Sequence, residues 1–488
     1  MVTPRAQNRQ EYLPPIRTDI PARMDALPWS GWHTYIVIAL GITWVLDGLE
    51  VTLAGAVGST LKDPGALHLT DWQVGLSATC YLAGAVAGAL IFGYATDRFG
   101  RRKLFFLTLI VYVAATGATA FAWNASSYFV FRALTGAGIG GEYAAINSAI
   151  DELIPARVRG QVDLLINATF WIGAAIGAGA TIYLLDSSRF PVNIGWRLAF
   201  GIGAVLGLCI LFLREAVPES PRWLMTHGRK REAERIVEEV ETKAHAAHGK
   251  PEGEHMITLI HPRRHTPWKQ IFHSMFVEYP TRSLLGLMLM VAQAFFYNAI
   301  FFTYAIVLTK FYGVPPGRVG MYLFPFALGN VLGPMVLGRL FDVVGRRPMI
   351  VITYAASGLL LALTGFLFER GLLTAKTQTL AWSAIFFIAS CAASSAYLTV
   401  SEIFPLELRA MAIAIFFALG TLVGGVGAPA LFSRLIASGS RERLLWGYLL
   451  GAALMLLAAG AEAVFGVKAE RRSLEEIAPP LSADGSPA

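Results

Sequence analysis

The sequence predicts an all-α membrane protein: twelve transmembrane helices in two pseudo-symmetric six-helix bundles. Three observations predict it. Of 488 residues, 55% are hydrophobic and only 15% are charged, a balance that an array of soluble domains does not tolerate. Apolar stretches of bilayer length recur twelve times, split six and six by a polar linker. A short charged pattern also appears twice, 245 positions apart: Gly93, Asp97, Arg98, Gly100, Arg101, Arg102 and Lys103, then Gly338, Asp342, Gly345, Arg346 and Arg347. Glu152, Pro155 and Arg159 recur as Glu402, Pro405 and Arg409, 250 positions on. Duplication is the economical explanation, and two related helical halves are what rock against one another in secondary transport.

In chain order, residues 1–32 are polar, with several prolines and no apolar core before a small-residue cleavage site, so they read as a cytoplasmic segment and not as a signal peptide. The first bundle, 33–213, holds apolar stretches near 34–61, 72–96, 104–123, 126–154, 162–185 and 196–213. Residues 214–282 turn charged and form the linker. Within it, 228–243 has helix-forming composition, and Trp268, Ile271, Phe272, Met275 and Phe276 suggest a short interfacial helix. The second bundle, 283–467, holds stretches near 283–308, 319–341, 349–368, 380–404, 411–436 and 444–467, and a polar tail occupies 468–488.

Lys and Arg gather in the N-terminal segment, the turns after the second and eighth helices, and the linker, whereas the turns after the first and third hold Lys62 alone. Both termini therefore face the cytoplasm of a multi-pass protein expected in the inner (plasma) membrane. The net charge of +7 reflects this loop bias and contact with anionic headgroups, and no nucleic-acid partner is expected. Cys80, Cys209 and Cys391 fall in apolar stretches, where they act as small hydrophobes. His245, His248, His255, His261 and His265 crowd the linker in a spacing that matches no standard zinc pattern, so a solvated loop is favoured over metal sensing. No metal site, cofactor or enzymatic constellation is expected.

An ionisable residue near mid-membrane costs about 2.5–3.5 kcal/mol on insertion scales and is a functional candidate by default. Asp47 and Glu50 stand three apart on one face of the first helix, Glu142 lies in the fourth beside a glycine-rich run, and Arg132 is the clear intramembrane base. At about 1.5 Å per residue, Glu50 and Arg132 reach similar depths. A buried carboxylate beside a guanidinium stays ionised, and one without a cation holds a proton, so an acid that moves between these surroundings can carry one. These four residues are the proton-coupling candidates; the bland alternative is a static ion pair tying the first helix to the fourth.

At this point the chain from 34 to 467 resembles the major facilitator superfamily. The turn 93–103 is similar to its signature after the second helix. Arg132, Gly136, Gly138, Gly140, Glu152, Pro155, Arg159 and Gly160, the run Pro218 to Trp223, and Glu402, Phe404, Pro405 and Arg409 fit the sugar-porter branch. The resemblance implies a major facilitator fold and a cytoplasmic gate between the halves, formed by Asp97, Arg98, Arg101, Arg102, Glu152, Arg159, Asp342, Arg346, Arg347, Glu402 and Arg409. It also implies a substrate cavity at Asn167, Trp171, Gln293, Tyr297, Asn298 and Tyr397. Several sugar contacts of that branch are absent: Ala292, Ala393, Ser394 and Phe302 stand in their places, and Tyr397 replaces a tryptophan. Asp47, Gly48, Leu49 and Glu50 instead resemble an element of proton symporters for aromatic acids.

The expected function is proton-coupled uptake of a small organic metabolite by alternating access, a carboxylate such as an aromatic acid above all, in a monomer whose partners are solute, protons and lipid. Sugar or polyol transport, organic-cation transport and a non-transporting receptor are the alternatives.

Overall fold

The computed structural model describes residues 15–214, 217–248, 257–262, 266–315 and 319–481. Twelve long helices run through them: α1 (Gly31–Thr60), α2 (Asp71–Phe99), α3 (Arg101–Ala120), α4 (Ala125–Leu153), α5 (Arg159–Leu184), α6 (Val192–Arg214), α7 (Pro280–Tyr312), α8 (Val319–Val343), α9 (Arg346–Glu369), α10 (Ala375–Ile403), α11 (Arg409–Ala437) and α12 (Arg441–Phe465). Eleven are long and apolar enough to cross a membrane. The twelfth, α4, has the length, at 29 residues, but carries Arg132, Glu142, Asp151 and Glu152, all of them buried. Its charges face protein and not lipid. The outer faces carry the opposite chemistry, with Ile182, Phe212 and Trp446 well exposed.

The packing repeats with a step of six helices. In the first half α1 lies on α5, α2 on α4 and α3 on α6; in the second, α7 lies on α11, α8 on α10 and α9 on α12. The two most extensive contacts between the halves are α5 with α8 and α2 with α11, which the same step exchanges; α4 and α5 also meet α10, and α4 meets α11. Small residues allow the closest approaches. A side chain at Gly84 or Gly88 would strike the α4 backbone at Ala133 or Ala137, and one at Gly136 or Gly140 would strike α2 at Tyr81 or Ala85. Helices buried in lipid associate through such backbone contact.

Both copies of the charged turn have one local geometry. Gly100 (φ 101°) and Gly345 (φ 118°) adopt a backbone conformation that disfavours other residues and open α3 and α9. The next residue, Arg101 or Arg346, is thereby directed inward and buried.

At the same end of the bundle, the linker side, lie the described parts of the linker, of the segment before α1 and of the tail after α12. Short helices span Pro221–Thr226 and Trp268–His273, and a longer amphipathic one spans Lys230–His248. The strand Ile16–Thr18 pairs antiparallel with Thr258–Ile260, tying the N-terminal segment to the linker. Of the linker histidines, His255 and His265 lie outside the described residues. No cluster fit for a metal ion occurs among the described residues.

Candidate functional site

Between the halves lies a cavity of about 240 Å³. Asn167 and Trp171 from α5, Gln293, Tyr297 and Asn298 from α7, and Tyr397 from α10 all line it, so the structure brings together every residue expected there. With Phe170, the residues Trp44, Tyr81, Tyr143 and Phe417, which the sequence reading did not single out, complete an aromatic wall. Among the described residues no charged side chain lines it. Much of the polar lining is already engaged. The Tyr297 hydroxyl donates to Asn330 Oδ1 at 2.7 Å, the Asn298 amide to the Ala294 carbonyl at 2.6 Å, and the Asn167 amide to the Asp163 carbonyl oxygen at 2.9 Å. Gln293 is held more loosely: its amide meets the Met290 sulfur at 4.0 Å, a weak acceptor, and its side chain also reaches the Tyr397 hydroxyl.

Behind this wall stand the buried charges. Arg132 Nη1 donates to Glu50 Oε1 in a direct ion pair, with both side chains at least 96% buried. The guanidinium also lies over the Tyr81 ring, 4.6 Å from its centroid. Asp47 has different neighbours. Its Oδ2 accepts from the Tyr143 hydroxyl at 2.7 Å and its Oδ1 from Tyr81 at 3.4 Å. Glu142 flanks the same small space as Asp47, Trp44 and Tyr143. The candidates therefore form one connected group, in which Tyr81 touches both Asp47 and the cation that holds Glu50.

On the linker side the two charged turns close the gap between the halves in matching ways. Arg101 Nη2 pairs with Glu152 at 2.9 Å and with Asp97 at 3.4 Å, and Arg409 reaches Glu152 from the other half at 3.4 Å. Asp97 Oδ2 accepts from the Met411 backbone N–H at the start of α11, 3.1 Å away. In the second copy Arg346 pairs with Glu402 at 3.0 Å and Asp342 at 2.7 Å, and Arg159 stands 3.8 Å from Glu402. Asp342 accepts from the N–H groups of Gly160 and Gln161, at 3.1 and 2.7 Å, where α5 begins. Each aspartate thus sits at the electropositive N-terminus of a helix from the opposite half.

Arg98, Arg102 and Arg347 have other surroundings. Arg98 is exposed beside Phe99, the Arg102 backbone N–H donates to Glu219 at 3.4 Å, and half-buried Arg347 donates to the Ala463 carbonyl. For Arg102 and Arg347 the geometric reason is that one residue past the inward-facing arginine, a helix has turned by about 100°.

Two further ionic residues, Asp25 and Glu475, were not singled out, and Glu219 and Arg222 entered only as members of the run Pro218 to Trp223. Asp25, in the short helix Ile20–Ala26, pairs with Arg159 at 2.8 Å and with Arg222 at 2.7 Å, and Glu475 of the tail pairs with Arg222 at 3.0 Å. Burial works against the Arg222 charge, but Asp25, Glu475 and Glu152 outweigh it and hold that guanidinium above its ordinary range. Glu219 Oε1 accepts the backbone N–H of Arg101 at 2.8 Å, capping α3, while burial pushes its carboxyl up. Such contacts between segments distant in sequence leave no local signal.

Comparison with known proteins agrees with this architecture. Residues 29–480 match the family described as sugar (and other) transporter. A niacin transporter of Acinetobacter baylyi, NiaP, is 24% identical over 461 residues, covering 94% of this chain and 99% of that one. The arabinose-proton symporter of Bacillus subtilis is 27% identical, covering 78% and 81%. Among solved structures, the proton:xylose symporter XylE bound to 6-bromo-6-deoxy-D-glucose superposes with a TM-score of 0.75 at 20% identity, over 91% of this chain and 98% of the other. At that identity the likeness speaks for the fold.

Proposed function

The chain belongs to the sugar (and other) transporter family and is a secondary transporter of the major facilitator type, not an enzyme; from that premise we propose that it takes up a small aromatic carboxylate together with protons, by alternating access. One observation carries the reading: an aromatic-walled cavity, with no charged lining among the described residues, stands one hydrogen bond away from a group of buried acids and a guanidinium. Flat aromatic walls suit a planar ring. A polyol needs many directional partners, whereas Tyr297, Asn298, Asn167 and Tyr143 already spend hydrogen bonds inside the protein. The niacin transporter likeness supports the same class.

Asp47, Glu50, Arg132 and Glu142 make up the proton-handling group. Asn167, Trp171, Gln293, Tyr297, Asn298 and Tyr397 contact the solute, and the Gln293 amide donates to its carboxylate. The paired turns form the inner gate, closed in this conformation, on a linker side that faces the cytoplasm of the inner membrane because Lys and Arg concentrate there. Ion pairs at the membrane edge can separate into water at modest cost, which suits a latch that opens each cycle. A protonated acid in the centre supplies the differential stability that favours one state over the other.

The test is uptake by the purified protein in liposomes with an inward proton gradient. Niacin or benzoate is expected to accumulate, saturate and collapse on adding a protonophore, without competition from xylose or choline. Accumulation of xylose alone would give the sugar reading instead, and uptake indifferent to the gradient would end the coupling reading.

A further inference from the structure

Tyr143 is placed unlike any other residue among those described. Its hydroxyl donates to Asp47 Oδ2 at 2.7 Å. Its ring forms part of the cavity wall, meets Trp44 edge-on at 4.3 Å, and stacks on Phe417 of the opposite half with centroids 4.6 Å apart and planes at 27°. Tyr397, also from the second half, lies 5.9 Å away. One half-buried side chain therefore touches an acid in the first half, the solute cavity, and the two second-half helices that must part when the halves rock.

We infer that Tyr143 is a positioning residue that passes the protonation of Asp47 into the cavity by reversing the direction of a hydrogen bond. The inference rests on the proton-coupled reading above and names the part that links proton to solute. A phenol has one O–H to donate and lone pairs to accept with. While Asp47 is ionised it can only accept, so the Tyr143 O–H is turned to it and the cavity is offered phenol lone pairs, which repel an anionic solute. When a proton binds Asp47 Oδ2, that oxygen becomes the donor and the Tyr143 oxygen accepts from it. The phenol hydrogen then rotates about the C–O bond to face the cavity, where it donates to a carboxylate. No covalent bond of the tyrosine breaks. The single proton gained resides on Asp47, and the site loses one negative charge as it gains one donor. Proton binding thereby precedes and strengthens solute binding.

The groups that act on Asp47 are Glu50 from α1, Tyr81 from α2, Tyr112 from α3, Glu142 and Tyr143 from α4, and Tyr397 from α10. Arg132 lies beyond the Tyr81 ring and is engaged with Glu50. Tyr81 also donates to Asp47, but at 3.4 Å and with its ring face under Arg132. It is the weaker link to the cavity.

The experiment has two arms on the full-length protein in liposomes. The first, free of solute, follows infrared difference spectra of protein carrying isotope-labelled tyrosine as pH is lowered. The phenol C–O band is expected to shift at the same midpoint at which a carboxyl C=O band appears. Both changes vanish in Asp47→Asn, and the phenol change vanishes in Tyr143→Phe. The second measures radiolabelled niacin binding. From about pH 8 to about pH 6 the affinity of the unaltered protein rises about tenfold, the size expected of one hydrogen bond to an ionised group. Tyr143→Phe holds niacin at the lower pH only as weakly as the unaltered protein does at the higher, with less than about a twofold change between them. A Tyr143→Phe protein that keeps the full pH slope, or a phenol band that ignores Asp47, overturns the inference. If the unaltered protein binds no niacin while the two bands move together, the switch stands and the aromatic-acid reading falls.

Discussion

Charges on the linker side come in two copies, whereas those in the middle of the membrane come in one. Arg101, Glu152 and Asp97 have their counterparts in Arg346, Glu402 and Asp342, down to the aspartate that accepts backbone N–H groups from the opposite half. The offset that relates Glu152 to Glu402 carries Arg132 to Trp382 and Glu142 to Ala392. Trp382 is buried against Tyr304 and Tyr448. The second half thus keeps the paired charged turn and fills the place of the ion pair with aromatic packing. Duplication supplies symmetric parts where the halves must meet and part, and a single half retains the charges proposed to handle protons, leaving the other to amides and aromatic rings.

The largest effect is expected where the asymmetry is greatest. Arg132→Met leaves Glu50 buried without its cation, a loss of about 3–5 kcal/mol in comparable pairs, and should abolish gradient-driven uptake while lowering the thermal unfolding temperature. Trp382→Leu at the matching place should destabilise by about 1–3 kcal/mol through lost packing yet keep the pH dependence of uptake. If both changes flatten that dependence equally, the assignment of proton handling to one half breaks.

A smaller effect separates the two latches. Glu152 holds Arg101 at 2.9 Å and Arg409 at 3.4 Å, whereas Glu402 holds Arg346 at 3.0 Å and Arg159 at 3.8 Å. Glu152→Gln and Glu402→Gln should each shift the population toward the linker-side-open state by about 1–3 kcal/mol, with Glu152→Gln the stronger. Cysteine accessibility on the linker side reads the shift, and no change in either variant would show that these pairs do not hold the gate.

The smallest effect lies outside the membrane and sets the background against which central pH coupling is measured. His227 is stacked on Trp223 with centroids 4.0 Å apart, and burial lowers its pKa to about 4. Because this lies below the unfolded value of about 6.5, the unfolded chain binds the extra proton first, so the stability held above about pH 6.5 is lost as pH falls toward 4. His227→Asn should remove about 2 kcal/mol of that acid loss in a thermal-unfolding series, without moving the pH dependence of uptake. A change in uptake slope would place part of the coupling at the edge.

Much of this architecture was legible in the sequence. Helix existence followed from stretches of apolar residues, and the fourth helix could be placed despite its charges because the glycine-rich run and the recurring Glu, Pro and Arg framed it. The depth count from Glu50 and Arg132 anticipated their contact. Tyr81 and Tyr143 were harder to see. An aromatic residue in an apolar helix is most often packing, and nothing local says that its hydroxyl meets an acid on another helix. Asp25 and Glu475 were hidden for a related reason, since polar ends that fold back onto a linker look like polar ends that do not.

Hydropathy, loop charge and internal repetition determined, from the sequence alone, a twelve-helix membrane protein in two related halves with an acid pair and one guanidinium buried in the first. These properties belong to single segments, and the partition of each segment between water and lipid fixes them. Only the tertiary structure decided that Asp47 takes two phenols, which arginine of each basic run turns inward, and that a tyrosine joins acid, cavity and opposite half. Those outcomes depend on helix rotation and close approach, where a turn of about 100° per residue exchanges one neighbour for another and no one-dimensional pattern records which.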